Sequence, residues 1–322
     1  MLPSGRRVGD TCPSRPVETP TRKDTRAALP GREARGRGVA TRAPEPLLAL
    51  LGDDSPVVRR EVRRELLRRG RGGAALLARA QRSEDPRLRG AARALALRFA
   101  RARVARRMLR LALRPRISLE SGLWLMSRFE TPDLDVRPYQ LALDAFAAEV
   151  LKRLDRTRAP GKPSDVLLEY LAGELGYSGD IEQYHHPDNV YLHSAITRRR
   201  GMPLTLTAIY LAVARRASIR AAAVALPGHV MLRIYDGERG VLCDPFHAGK
   251  RLSERECLSY LADHGLPFEP HWFDDAHDAG LWLRHLRNLE RGYAKLSLDA
   301  DARELAPVIS VLEQRIVGPQ GT

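Results

Sequence analysis

Apolar positions first recur at helical spacing after Pro44, as Leu47, Leu48, Leu50 and Leu51 and then, behind Asp53-Asp54-Ser55-Pro56, as Val57, Val58, Val62, Leu66 and Leu67. Gly70 and the Gly72-Gly73 pair interrupt the run. The same phrase returns at Ser83-Glu84-Asp85-Pro86, followed by Leu88, Ala91, Ala92, Leu95 and Leu97, so the two helix starts are 30 residues apart, the signature of a short helical repeat. Ser118 caps a further helix carrying Leu119, Leu123, Trp124 and Met126; residues 139–154 are amphipathic, and another helix is expected over 167–175. A polar loop begins at Tyr184, with Asp188 or Asn189 placed to cap a helix running to Arg200. Gly201 ends that helix and Pro203 opens the next, which is apolar nearly all round to about Ser218 and is therefore expected in the domain centre.

Period-two patterns follow at 221–226, 229–235 and 241–244, with Pro227-Gly228 as a break and Asp236-Gly237 as a turn. A hairpin closed at Asp236-Gly237 sets His229 directly opposite Asp244. A four-residue loop from Asp236 to Arg239 makes them diagonal neighbours on one face, and either register keeps the pair within reach. Ser253 and Glu256 form a capping box for a helix to about Asp263, and a helical hairpin over 279–296 and 301–317 closes the chain.

A length of 322 residues with 43% hydrophobic content allows one to three domains with a real core. No run of about 18 apolar residues exists, so no membrane span is expected. Arg6-Arg7 precede no apolar segment, and the three scattered cysteines, Cys12, Cys243 and Cys257, make no disulfide framework or C-x-x-C zinc spacing; a reducing, cytoplasmic setting is expected. The net charge of +15 is uneven. Residues 1–115 hold 29 Lys and Arg against 11 Asp and Glu, a net of +18, and the remainder nets −3. The second half therefore does not work by bulk attraction to phosphate.

Residues 1–42 are rich in Pro, Gly, Thr and Arg without apolar periodicity and read as a disordered basic tail. Residues 43–115 resemble HEAT-type repeats and carry Arg59, Arg60, Arg63, Arg64, Arg87 and Arg93 on their polar faces. Those arginines are either a solvated face or a contact for nucleic acid or an acidic protein; no aromatic residues are interleaved to stack bases.

A histidine held by a carboxylate is the base half of a nucleophilic triad, because the carboxylate sets the tautomer and leaves the other nitrogen to deprotonate a thiol or hydroxyl. A structural hydrogen bond looks the same in isolation. The surrounding phrases are Tyr184 and Asn189 before Arg199-Arg200-Gly201, the Pro203 helix, Pro227-Gly228-His229, and Asp244-Pro245-Phe246 with Gly249 beyond. In order and spacing they resemble the SirB-type transglutaminase-like family over about 118–260, with weaker similarity in Leu286-Arg287-Asn288-Leu289 and Tyr293. The resemblance implies an α+β, papain/transglutaminase-like core, with the buried helix on a small antiparallel sheet, an all-α N-terminal repeat module and a C-terminal helical hairpin. The transglutaminase-like domain would span 116–265 and the C-terminal helical segment 266–322. It matches His229 and Asp244 to the base and its orienting acid, and implies a binding cleft at Tyr184, Asn189, Arg200, Gly201, Pro203, Gly228, Pro245 and Phe246.

Such enzymes are expected to place a cysteine in the first turn of the helix, where the dipole lowers the thiol pKa. Here that turn reads Met202, Pro203, Leu204, Thr205. Cys243 alternates to the opposite face from Asp244, Cys257 sits among leucines, and Thr205 is the one oxygen nucleophile in a suitable position. His185, His186 and His193 match no common zinc spacing, and no metal or cofactor is expected. Three functions stand: a non-classical domain binding a peptide or protein segment, an acyltransferase or amide hydrolase using Thr205 with His229 and Asp244, or a scaffold whose repeat recruits an acidic partner or nucleic acid.

Overall fold

Two helix starts use the same chemistry 30 residues apart. After α1 (Pro46–Ala49) and a short 3-10 turn come α2 (Pro56–Arg68), α3 (Arg71–Ala80) and α4 (Pro86–Ala112). Ser55 caps α2 by accepting the Val58 N–H, Asp85 caps α4 by accepting the Arg87 N–H, and each cap is followed by proline in the first turn. The repetition extends to an arginine that braces the preceding loop. Arg59 donates to the carbonyls of Asp53 and Asp54 at 2.6 and 2.9 Å, and Arg89 to those of Ser83 and Glu84 at 2.7 and 3.2 Å. The apolar faces close over Leu48, Leu51, Val62, Leu66, Leu77, Leu88, Ala92 and Leu95. α4 then continues without a break, and its later residues Val104, Met108 and Ala112 belong to a second, larger core.

The computed structural model describes residues 46–156, 162–184 and 186–317. The expected tail, Cys12 and His185 lie outside the described residues. α5 (Leu119–Glu130), capped by Ser118 as expected, is followed by α6 (Arg137–Arg156) and α7 (Pro163–Leu168), which runs on into a wider helical turn over Glu169–Glu174. A two-residue strand β1 (Ser178–Gly179) pairs in parallel with β2 (Arg200–Gly201). Between them Pro187–Asn189 forms a 3-10 turn and α8 (Leu192–Arg198) begins after Tyr191. The helix expected from Asp188 or Asn189 thus starts later, because the Asp188 N–H goes to His186 Nδ1 and the Asn189 side chain is drawn to the loop behind it. It also ends earlier: Arg199 takes the left-handed position, φ 56°, and Gly201 serves β2.

α9 (Pro203–Arg216) is buried at every residue from Pro203 to Ala214, as its all-round apolar pattern requires. Beyond it β3 (Ala221–Val224), β4 (Met231–Asp236), β5 (Arg239–Asp244), β6 (Lys250–Leu252) and β7 (Asp275–Ala276) form an antiparallel sheet in the order β6-β5-β4-β3-β7. Alternation divides its side chains. Ala223, Leu232, Ile234 and Cys243 join the core with α9, while Val224, Met231 and Leu242 pack with Cys257 and Leu261 of α10 (Glu254–Asp263), whose capping box forms as expected. α11 (Asp278–Lys295) and α12 (Asp299–Val317) close the chain against α4 and α5. Gly122 of α5 lets α11 approach, since a Cβ there would stand 2.6 Å from the Trp282 indole. The architecture is α+β, an antiparallel sheet within helices.

Candidate functional site

The hairpin between β4 and β5 pairs Asp236 with Arg239 across Gly237-Glu238, with Gly237 at φ 65°. This is the second of the two expected registers, so His229 and Asp244 are diagonal neighbours. β4 starts at Met231, not at His229, and the imidazole comes from the turn after Pro227-Gly228, where Gly228 holds φ 76°. Their side chains meet, His229 Nε2 donating to Asp244 Oδ2 at 2.8 Å.

Asp244 is a hub. Its Oδ1 accepts the backbone N–H of Phe246 at 2.9 Å and, more weakly, that of His247 at 3.4 Å. Its Oδ2 accepts from a second imidazole, His247 Nδ1, at 2.7 Å. Burial works against this carboxylate, yet the hydrogen bond and charge of His229, and then those of His247, outweigh it and hold the pKa below the usual range. A carboxylate that only accepts puts one proton on His229 Nε2 and one on His247 Nδ1, so in the neutral His229 ring Nδ1 keeps the lone pair.

His247 was not singled out in the sequence; its position three residues after Asp244, in a turn that brings it back to the same oxygen, is the signal. His229 Nε2, Asp244 Oδ2 and His247 Nδ1 lie within 4.8 Å of one another, two imidazoles and a carboxylate of the kind that holds zinc or another divalent cation. A cation would have to displace both protons that Asp244 now receives.

The ring of His229 lies edge-on to Phe246, 6.4 Å between centroids, and 5.9 Å from Tyr260 of α10. Phe246 in turn contacts Tyr184 edge-on at 5.7 Å and rests on Gly179, where an added Cβ would meet the ring at 2.4 Å. The Gly179 N–H donates to the Phe246 carbonyl at 2.7 Å, so β1 fixes the floor of the site.

The other expected residues divide. Tyr184 and Gly228 border a cavity of about 750 Å³ between the Tyr184 loop, the Pro227-Gly228 turn and α11, with Met202 at the start of α9. Pro245 is buried in the turn beneath Phe246. Asn189 is buried and spends its polar atoms on the protein: its amide donates to the Gln183 and Tyr184 carbonyls, its side-chain oxygen accepts from Arg198, and its carbonyl accepts the Met202 N–H. It positions the Tyr184 loop against the start of α9. Arg200 donates to the Gly176 carbonyl at 2.8 Å and is absent from the cavity wall; Gly201 and Pro203 are buried at the β2–α9 junction.

Thr205 is elsewhere too. Its hydroxyl donates to the Asn189 carbonyl at 2.7 Å and lies 3.3 Å from His285 Nε2, with no hydrogen bond to His229. The reason is the sheet: alternation puts Asp244 on the α10 side, and α9 packs on the other. Cys243 is buried on the α9 side with its thiol on the Leu232 carbonyl, its pKa pushed by burial to about 12; burial likewise takes Cys257, beside Met231 Sδ, to about 11. Neither thiol is a ready nucleophile. His186 accepts from Asp188, and His193 is held below its usual pKa by burial.

Comparison with known proteins agrees with this architecture. Residues 137–287 match the family described as the transglutaminase-like superfamily. A UPF0162 protein of Xylella fastidiosa (strain 9a5c) is 30% identical over 148 residues, 46% of this chain and 53% of its own length. A UPF0162 protein of Pseudomonas aeruginosa is 27% identical over 151 residues, 47% and 54% of the two chains. F-box only protein 21 of Mus musculus is 31% identical over 108 residues, 31% of this chain and 17% of its own length. The chain spans about half the length of the UPF0162 relatives, and no solved structure matches it. The segment that supplies the dyad, the buried helix and the sheet is the one that matches the transglutaminase-like superfamily.

Proposed function

We propose that this is a non-classical transglutaminase-like domain of the SirB type that binds a peptide or protein segment in the cleft beside His229 and Asp244, without forming a covalent intermediate on a cysteine. One observation carries the reading: an oriented imidazole stands next in the chain to Gly228, which borders a roomy cavity, while both described thiols are buried and the Thr205 hydroxyl is committed to Asn189. A cavity of this size takes a short run of side chains. The competing acyl-transfer reading, with Thr205 attacking and His229 as base, needs a hydrogen bond that Thr205 makes to another partner. An electrophilic amide probe separates the two. Binding predicts no labelling at any pH together with retention of the protein on an immobilised random peptide library, weakened by His229→Ala. Covalent labelling of wild type that disappears in His229→Ala would establish the enzyme instead.

A second reading concerns the HEAT-like N-terminal helices, which would recruit an acidic partner or nucleic acid. A groove there is lined by Arg63, Arg71, Arg98, Arg103 and Arg106 with Glu304 as its one acid among the described residues. Electrophoretic mobility shifts with RNA and with a poly-glutamate peptide, repeated with Arg63, Arg98 and Arg106 changed to Gln in the full chain, test it. Equal retardation of wild type and variant at low salt would remove the groove from the account.

A further inference from the structure

The cavity beside the dyad is electrostatically one-sided. Its wall carries Arg284, Arg287, Arg291 and Lys295, and no Asp or Glu lines it among the described residues. That is unexpected in a segment, residues 116–322, whose net charge is −3. The cations come from one helix. Spacings of three and four residues along α11 align them on a single face, with Asn288 among them.

Three of the four are ordinary surface charges; Arg287 pairs with Glu313 at 2.7 Å, and Arg291 and Lys295 are exposed to water. Arg284 differs. It is partly buried, donates one hydrogen bond to the His229 carbonyl at 3.1 Å, and pairs with no carboxylate among the described residues. Burial lowers its pKa, and the ionisable neighbours acting on it are the phenols of Tyr184 and Tyr260 and the guanidinium of Arg291, none a carboxylate. A guanidinium stays protonated and presents five N–H donors in a planar fork, so one withdrawn from water without an anion has strong unspent capacity for a bidentate acceptor. Met202, Val190, Pro227, Leu283 and Leu289 form an apolar part of the wall, beside the polar Tyr184, His186 and Asn288.

We propose that this cavity is a receptor for the free C-terminal carboxylate of a peptide, with Arg284 gripping the carboxylate and the apolar wall receiving the last side chains. A planar carboxylate fits the fork two-on-two, and an apolar residue joined to an anion matches a wall of this make-up. The grip on the His229 carbonyl fixes the Arg284 head and ties the anion site to the turn that carries the dyad imidazole. The inference rests on the peptide-binding reading above and names the part of the peptide that is held.

The test uses Met202, which lines the cavity and is one of five methionines, as a reporter in the ¹³C-methyl-methionine spectrum of the full chain. Two pools of N-acetylated random tetrapeptides lacking Asp and Glu are titrated, one as free acids and one as C-terminal amides. The expected result is a saturable Met202 shift with the acids, at least tenfold weaker with the amides. Arg284→Gln is expected to remove that preference, with the folded spectrum otherwise retained, and Arg303→Gln, at an exposed position of α12 outside the cavity wall, to keep it. Acids and amides acting equally would overturn the carboxylate receptor while leaving peptide binding intact. A Met202 shift with sodium phosphate as strong as with the acids would make this a general anion site and overturn the assignment. Silence with both pools would overturn the receptor and the peptide-binding reading together.

Discussion

The Thr205 hydroxyl lies 3.3 Å from His285 Nε2, and both residues are completely buried. His285 also donates from Nε2 to the Val190 carbonyl at 3.0 Å, so the pair clasps α9, the Asn189-Val190 backbone and α11 together. Thr205→Val keeps the shape and removes the hydroxyl. It is expected to cost about 1–2 kcal/mol in urea unfolding and to leave peptide binding unchanged. A variant of wild-type stability that binds peptide more than tenfold more weakly would return Thr205 to the cleft.

His285 sets an acid limit on stability. Burial lowers its pKa to about 4, and its Nδ1 has no hydrogen-bond partner among the described residues. The unfolded chain, with a histidine near pH 6.5, takes up the proton first. Stability complete above about pH 6.5 is therefore lost as pH falls toward 4, by roughly 3 kcal/mol from this group. His285→Leu is expected to flatten the pH dependence of the urea midpoint across that window; an unchanged slope would show that His285 does not set it.

Asp244 contributes in the opposite sense. Its folded pKa is depressed, so its stabilisation is present above the unfolded value of about 3.9 and is lost as pH falls through the lower folded value. Asp244→Asn is expected to destabilise the protein by roughly 3 kcal/mol at pH 7, since a carboxylate hub is replaced by a group that must turn its NH2 either to both imidazoles or to the backbone N–H groups of Phe246 and His247. The difference from wild type should shrink below about pH 4. Chemical unfolding at pH 7 and pH 3 measures it, and a constant difference would place the stabilisation outside ionisation.

Gly179 is where Phe246 is seated. Gly179→Ala puts a Cβ 2.4 Å from the ring and is expected to cost about 1–3 kcal/mol through displacement of Phe246. Because Phe246 touches both His229 and Tyr184, the aromatic ¹H spectrum of the dyad should change with the melting temperature. A stable variant with an unperturbed His229 signal would show that the turn does not depend on this contact.

Much of this was readable locally. The Ser55, Asp85, Ser118 and Ser253 caps, the enclosed α9 and the closing hairpin of α11 and α12 follow from cap chemistry and apolar spacing, each expressed within a few residues. The His229–Asp244 contact was also accessible, because one short hairpin joins the two residues and either register brings them together. The start of α8 is less local: Asp188 and Asn189 have the composition of caps, but a hydrogen bond from Asp188 to His186 and the pull of the Tyr184 loop on Asn189 outweigh that preference.

The chain's own order of residues carries its helix starts, its buried helix and its dyad, because each is set by neighbours close in sequence. Folding chose the partners that span long separations: Thr205 with His285, 80 residues on, and Arg284 with the carbonyl of His229, 55 residues back. Neither is encoded in a local period. Each depends on how α9, α11 and the sheet pack, since packing selects which of several chemically suitable groups a buried hydroxyl or guanidinium meets.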